Sequence, residues 1–583
     1  MRRTWSVAAI GLLTVAVGAA GCTKNTGSDD TGTKGNQNNS KLVYVNDAKG
    51  PAPEIKDAKK GGVLTVLNVQ DFDHLDPQDT YVGAAIMVGN QLGLRTLTSY
   101  YEKDDGQIQL MGDLATDTGQ QTENCKVWTY KLRDGIKFED GTAITSKDIA
   151  YGVSRSFDEG EADGPTYLQR WLAGEDFGKA YPGPFKNPGT VAPGITTPDD
   201  KTIVFTLQGS HCDFPLAAAL PTTVPVPAGK DGGPGKYESP VSSGPYKIKS
   251  YTRGQKLEWE RNPNWDPTSD PLRHNYADGF VFDFSQSDPD IINKRIAADQ
   301  GADQLAIGFP NPTSASLPDI QNNESAKKRV IEGDTVFSQI VSINTQRITD
   351  VDIRRAMIYA YNKQAVLQII GGATAGTPST TLTPPVTPGY KKFDVYNVPL
   401  TGDPEKAKTL LQGKTLRPFK YCYRAGGVRP QVAAAVKEAF QKAGIEIVPT
   451  ELDRTTFYTL IGKKGNDCDL APTGWGQDFP SPTTVLGVLA SGHEASHDGS
   501  NNNSWLDVPE VTQKLDELAA NPDPASALPQ YGDLEEKIMK DYAPWIPIYY
   551  LHSYTINGSK VGGVYLSQLW GSPSLQNAYV IQS

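Results

Sequence analysis

Residues 474–482 read GWGQDFPSP. One carboxylate, Asp478, stands between aromatic residues in a stretch too rich in Gly and Pro for a helix or an uninterrupted strand. A lone anion in such a turn has two uses. It meets a cation, or it caps its own turn by accepting backbone N–H groups. Trp475 beside it offers a flat apolar face on which a sugar ring would stack. His493 and His497 have the i,i+4 spacing of a metal-binding pair, but SGHEASHDGSNN is a Gly/Ser/Asn loop without the rigid helix that such a pair needs. No metal site and no cofactor is predicted. GxSxG is absent, and HEASH (493–497) has the HExxH spacing only within that Gly/Ser/Asn loop, so the residues read as a binding protein and not as an enzyme.

The elements that position Asp478 follow a regular order. LRPFKYCY (416–423) reads as a strand, PQVAAAVKEAFQKAG (430–444) as a helix stopped by Gly444, and IEIVP as the next strand. A short helix from Thr455 to Lys463 and the strand CDLAP (468–472) complete a βαβαβ pattern, hence a parallel sheet. The loop carrying Asp478 leaves the carboxyl end of a parallel strand, where open α/β sheets bind ligands. In doubly wound order the first strand sits beside the third, which pairs Cys422 with Cys468. KVWTYKL (126–132) and KTIVFTL (201–207) alternate as antiparallel strands do, and bring Cys125 to Cys212 at one end of their ladder. Thr145 is the predicted N-cap of a helix carrying Asp148.

Earlier segments are richer in β-structure. KKGGVLTVLNV (59–69) opens the folded part, a helix spans about Val82 to Arg95, and SSGPYKIKSYTRGQKLEWERNPNW (242–265) alternates again. APWIPIYYLHSYTI (543–556) reads as a strand pair whose composition matches these early segments. The chain is therefore predicted to be an α/β protein of two lobes around a ligand cleft, starting in one lobe, crossing to the other and returning. The expected division is an N-terminal lobe over 59–285 with an extra subdomain at about 100–215, a C-terminal α/β lobe over 286–540, and a return over 541–583.

The whole chain has 583 residues, 38% of them hydrophobic, and a net charge of −11 without a basic stripe. That argues against nucleic acid as a partner. MRRTWSVAAIGLLTVAVGAAGC begins with Arg2 and Arg3, continues as an apolar run and ends in small residues. It is an export signal, residues 1–21, and Ala19-Ala20-Gly21-Cys22 resembles a bacterial lipobox with Cys22 lipidated. Residues 22–58, in which Cys22 is followed by TKNTGSDDTGTKGNQNNSK, read as a flexible tether. A lipid at Cys22 places the body on the outer face of the cytoplasmic membrane.

WTYKLRDGIKFEDGTAITSKDIAYGVSR (128–155) strongly resembles the signature of the family 5 extracellular solute-binding proteins, the peptide- and nickel-binding receptors of ABC importers. Asp76-Pro77, SSGPYKI, ERNPNW, IRRAMIYAYNKQAV, GWGQDFPSP and APWIPIYY fall in the same order. The resemblance implies a lobed periplasmic-binding-protein-like fold with an extra domain. It also implies a monomeric receptor that takes up oligopeptides and delivers them to a membrane permease. In peptide-binding members the Asp of GWxxD, here Asp478, pairs with the ligand's α-ammonium. By family position Tyr167, Tyr246 and Trp265 are cleft candidates, and Gly474 and Gly476 would let a peptide backbone approach. Some members carry an arginine two residues before the motif's glycine. Pro472 stands there instead, so Arg424 or Arg429 is the candidate cation for the peptide carboxylate. A nickel or metallophore binder, a sugar binder using Trp475 and Trp265, and a peptide-sensing receptor are the alternatives.

Overall fold

The computed structural model describes residues 42–582, apart from 104–106, 162 and 455. The predicted export signal and Cys22 lie outside the described residues. Two sheets organise the two lobes. The first has five strands in the order Ala306–Gly308, Val63–Leu67, Gly279–Asp283, Lys256–Arg261 and Tyr246–Thr252. Val63–Leu67 is parallel to both neighbours, and Gly254 turns the last two strands into a hairpin at φ +71°. Leu64, Val66, Leu257, Phe280 and Phe282 alternate inward and form one core.

An antiparallel sheet of Gln120–Thr122, Val127–Lys131, Thr202–Thr206 and Ile195–Asp199 forms the extra subdomain. Its apolar cross-strand pairs, Trp128 opposite Phe205 and Tyr130 opposite Ile203, are buried. Cys125 and Cys212 are bridged at the end of this ladder. The helix Ser146–Arg155 starts in a reciprocal box, in which the Thr145 N–H and hydroxyl both donate to Asp148 Oδ2, at 2.8 and 2.7 Å.

The second lobe is built on six strands in the order Gly376–Pro378, Trp545–Ile556, Val330–Ile343, Leu470–Gly476, Phe419–Arg424 and Ile447–Leu452. Phe419–Arg424 lies parallel between the other two strands of the βαβαβ segment, and Cys422 is bridged to Cys468. Two long antiparallel strands, Val330–Ile343 and Trp545–Ile556, carry the chain between lobes. Their register breaks between Asp334 and Ser338, and Asn557, just past their end, bridges to Ile307 of the first sheet.

Three boundaries differ from expectation. Leu42–Val45 was assigned to the tether but adds a parallel strand to Ile108–Gly112, because LVYV is apolar enough to complete that small sheet. The helix Pro289–Ala298 packs on the strand Ala306–Gly308 of the first sheet, so the second lobe begins at Val330 and not at 286. APWIPIYYLHSYTI is not a strand pair of the first lobe. It is one 12-residue strand of the second, with no Gly, Asn or Asp to turn it, and Pro547 sits where a bulge shifts the register. Residues 557–583 then return to the first lobe.

Candidate functional site

The cleft between the lobes is a cavity of about 1570 Å³. The strand Leu470–Gly476 ends at its wall, and Asp478 sits in the turn just beyond. Its backbone N–H donates to Thr484 Oγ1 at 3.2 Å. One carboxylate oxygen, Oδ2, accepts the Tyr167 hydroxyl from the opposite lobe, and the Tyr81 hydroxyl is a second donor. Burial pushes the Asp478 carboxyl up to about 7, against the two tyrosine hydrogen bonds that hold it down. Among the described residues its partners are hydroxyls and include no cation.

The opposing wall comes from one short helix, Tyr167–Ala173. Tyr167 packs edge-on to Phe479 at 5.1 Å, and Arg170 reaches across to Glu494 Oε1 at 2.8 Å. Tyr81 follows the buried Asp76, which binds the Arg155 guanidinium with both oxygens at 2.5 Å. That buried pair holds the loop carrying Tyr81. Across the cleft Trp475 donates its indole N–H to the Thr484 carbonyl at 2.7 Å, which fixes the ring as a wall.

Carboxylates outnumber cations along the cleft. At its rim His74 lies 3.3 Å from Asp79, 3.5 Å from Asp163 and 3.0 Å from Glu238. Burial opposes the imidazolium, but the hydrogen bond to Glu238 and the nearby Asp79 carry its pKa above the usual value. Arg170 and Arg253 also line the cleft, and each already faces a carboxylate of the protein, Glu494 and Asp71.

The strand Leu470–Gly476 pairs along its length with Val330–Ile343 on one side. On the other, the single register pair among the described residues is Leu470 with Tyr421. Beyond it the backbone edge is open. A cavity of about 250 Å³ and a pocket of about 340 Å³ border it at Thr473 and Gly474. Both share Tyr458 with the main cleft, so the three spaces follow one another along the edge. Arg424 and Arg429 line the last of them.

Of the predicted site residues, the fold brings Tyr167, Trp475, Gly474 and Asp478 together. Tyr246 and Trp265 are elsewhere. Tyr246 is 2% exposed, donates to the Ala277 carbonyl and packs on Phe280. Trp265 is 8% exposed and donates to Asp270 within a buried cluster of Arg95, Asp113, Asp270 and Arg273. Both are structural because their polar tips are spent inside the first lobe. Gly476 also has a packing role, since a Cβ there would stand 2.5 Å from the Phe337 ring. His493 faces Asp516 at 3.0 Å and His497 turns to the Asp498 carbonyl, so the two do not converge. Tyr81 and Arg170 were missed. Neither carries a local signal, and each acquires its role only by facing a segment hundreds of residues away.

A two-lobed body with a part-buried carboxylate beside the cleft that no cation meets among the described residues defines a ligand-binding receptor. Residues 109–497 match the model of the bacterial extracellular solute-binding proteins, family 5, and the chain belongs to that family. It is similar to a solved structure described as clavulanic acid biosynthesis oligopeptide binding protein 2, with a TM-score of 0.82 and 29% identity, covering 92% of this chain and 99% of that one. It is 23% identical over 500 residues to the probable D,D-dipeptide-binding periplasmic protein DdpA of Escherichia coli strain K12, covering 82% of this chain and 87% of DdpA. It is 24% identical over 523 residues to the probable deoxycholate-binding periplasmic protein YgiS of the same strain, covering 86% and 90%.

Proposed function

We propose that the protein captures short peptides with a free amino terminus and hands them to the permease of an ABC importer. The observation that carries this reading is Asp478, a carboxylate beside a large cleft, partnered by the hydroxyls of its lining residues Tyr81 and Tyr167 and raised to about 7 by burial. A bound α-ammonium supplies the missing charge and returns the carboxyl to its ionised form. The open edge beside Gly474 suits an extended ligand backbone, which pairs with a strand whatever its side chains are. The oligopeptide and dipeptide named for relatives agree with this ligand class. The protein binds and does not transform its ligand. It acts as a monomer, held at the outer face of the cytoplasmic membrane by a lipid on Cys22.

Native mass spectrometry of the protein purified from its host, followed by denaturing extraction, tests the reading. A ladder of short peptides is the expected cargo. A single non-peptide mass would refute it and turn attention to Trp475 as a stacking surface.

A further inference from the structure

The pocket of about 340 Å³ beyond Gly474 is walled by aromatic rings, among them Tyr361, Tyr421, Phe457 and Tyr549. Tyr361 and Tyr421 are each 1% exposed, and their hydroxyls have no hydrogen-bond partner among the described residues. Unpaired buried hydroxyls cost free energy, which marks the region as more than a packing gap. At its mouth stand Arg424 and Arg429. Arg424 donates Nε–H to the Arg454 carbonyl at 2.9 Å and lies 5.5 Å from the Tyr458 ring centre. Arg429 donates to the Gly426 carbonyl at 3.3 Å. Burial and the neighbouring charges of Arg424 and Arg454 lower the Arg429 pKa. No ion pair of the described residues involves these three arginines, while Arg170, Arg253, Arg347 and Arg417 each have a carboxylate. In a chain of net charge −11, two guanidinium groups that line an aromatic cavity without an ion pair among the described residues form a positive patch.

We propose that this pocket receives an aromatic side chain of the ligand's carboxyl-terminal residue, whose carboxylate is bound by Arg424 and Arg429. The proposal rests on the peptide reading above. Gly474 stands four residues before Asp478, a span of at most about 13 Å at about 3.3 Å per residue, less the turn after Gly476. A ligand with its ammonium at Asp478 reaches the pocket with its third or fourth residue. Planar guanidinium groups suit a carboxylate, and a 340 Å³ space accepts a six-membered ring that an alanine would leave unfilled.

Calorimetry with alanine peptides of three to five residues, ending in Phe or in Ala, tests this. Peptides ending in Phe are expected to bind about tenfold or more tighter, and the amidated forms to bind at least about tenfold weaker than the free acids. Val432→Trp, which projects a larger side chain into the pocket, should bring the affinities for Phe- and Ala-ended peptides together. Equal binding of the two by the wild type overturns the pocket assignment and leaves the peptide reading standing. Equal binding of acid and amide overturns the role of the arginines. Undiminished Phe preference in the Val432→Trp protein places the ring elsewhere and also overturns the proposal. No binding by any peptide overturns the peptide reading and this inference with it.

Discussion

Asp478→Asn removes the charge that a ligand ammonium would meet and keeps the side chain's size. In the wild type, the ammonium and the Asp478 carboxylate are taken out of water together. In the variant the ammonium is buried beside an amide. Losing one partner of a desolvated pair costs about 2–5 kcal/mol, roughly 30-fold to several-thousand-fold in Kd. The figure belongs near the lower end, because Tyr167 and Tyr81 remain as oxygen acceptors for the stranded amine. Acetylating the peptide removes the other partner. The assay is a double cycle by calorimetry: wild type and Asp478→Asn, each with a free-amine peptide and its N-acetyl form. Both single changes should weaken binding strongly, and the double change should cost much less than their sum. Additive losses, or full-strength binding of the acetylated peptide by the wild type, would refute the ammonium assignment.

Binding should also release protons. The empty site titrates near 7, binding needs the ionised carboxylate, and affinity is therefore lost as pH falls. Between pH 7.5 and 6 the loss is roughly fivefold after allowing for the ligand amine's own titration, and calorimetry in buffers of different ionisation enthalpy measures it. Tyr167→Phe removes a donor that favours the ionised form, so the midpoint should move above 7. An unchanged midpoint would show that this hydroxyl does not control the site. Replacing Cys422 and Cys468 by Ser opens a link between residues 46 apart and should cost about 4 kcal/mol in denaturant unfolding. Gly476→Ala drives a Cβ to 2.5 Å from Phe337 and should destabilise by about 1–3 kcal/mol, read as a lower unfolding midpoint.

Several features of this protein were determined by local sequence alone. The alternation of KVWTYKL and KTIVFTL specifies which residues face inward, because side chains on a strand repeat every two residues. The Thr145–Asp148 cap is written within four residues, and the βαβαβ order behind Asp478 follows from periodicity and Gly444. The Cys422–Cys468 pairing followed from that same order, and the Cys125–Cys212 pairing from the alternating strand pair. Other features belong to the tertiary structure. Tyr167, Tyr246 and Trp265 are indistinguishable by residue type, since an aromatic ring with a polar tip serves a core or a cleft equally well. What separates them is whether the tip meets its own lobe, as with Ala277 and Asp270, or the other lobe, as with Asp478. The reach of APWIPIYYLHSYTI into the second sheet depends on Val330–Ile343, more than two hundred residues earlier. The raised pKa of Asp478 likewise exists only once the distant Tyr81 and Tyr167 close over it, because desolvation is a property of packed surfaces and not of a motif.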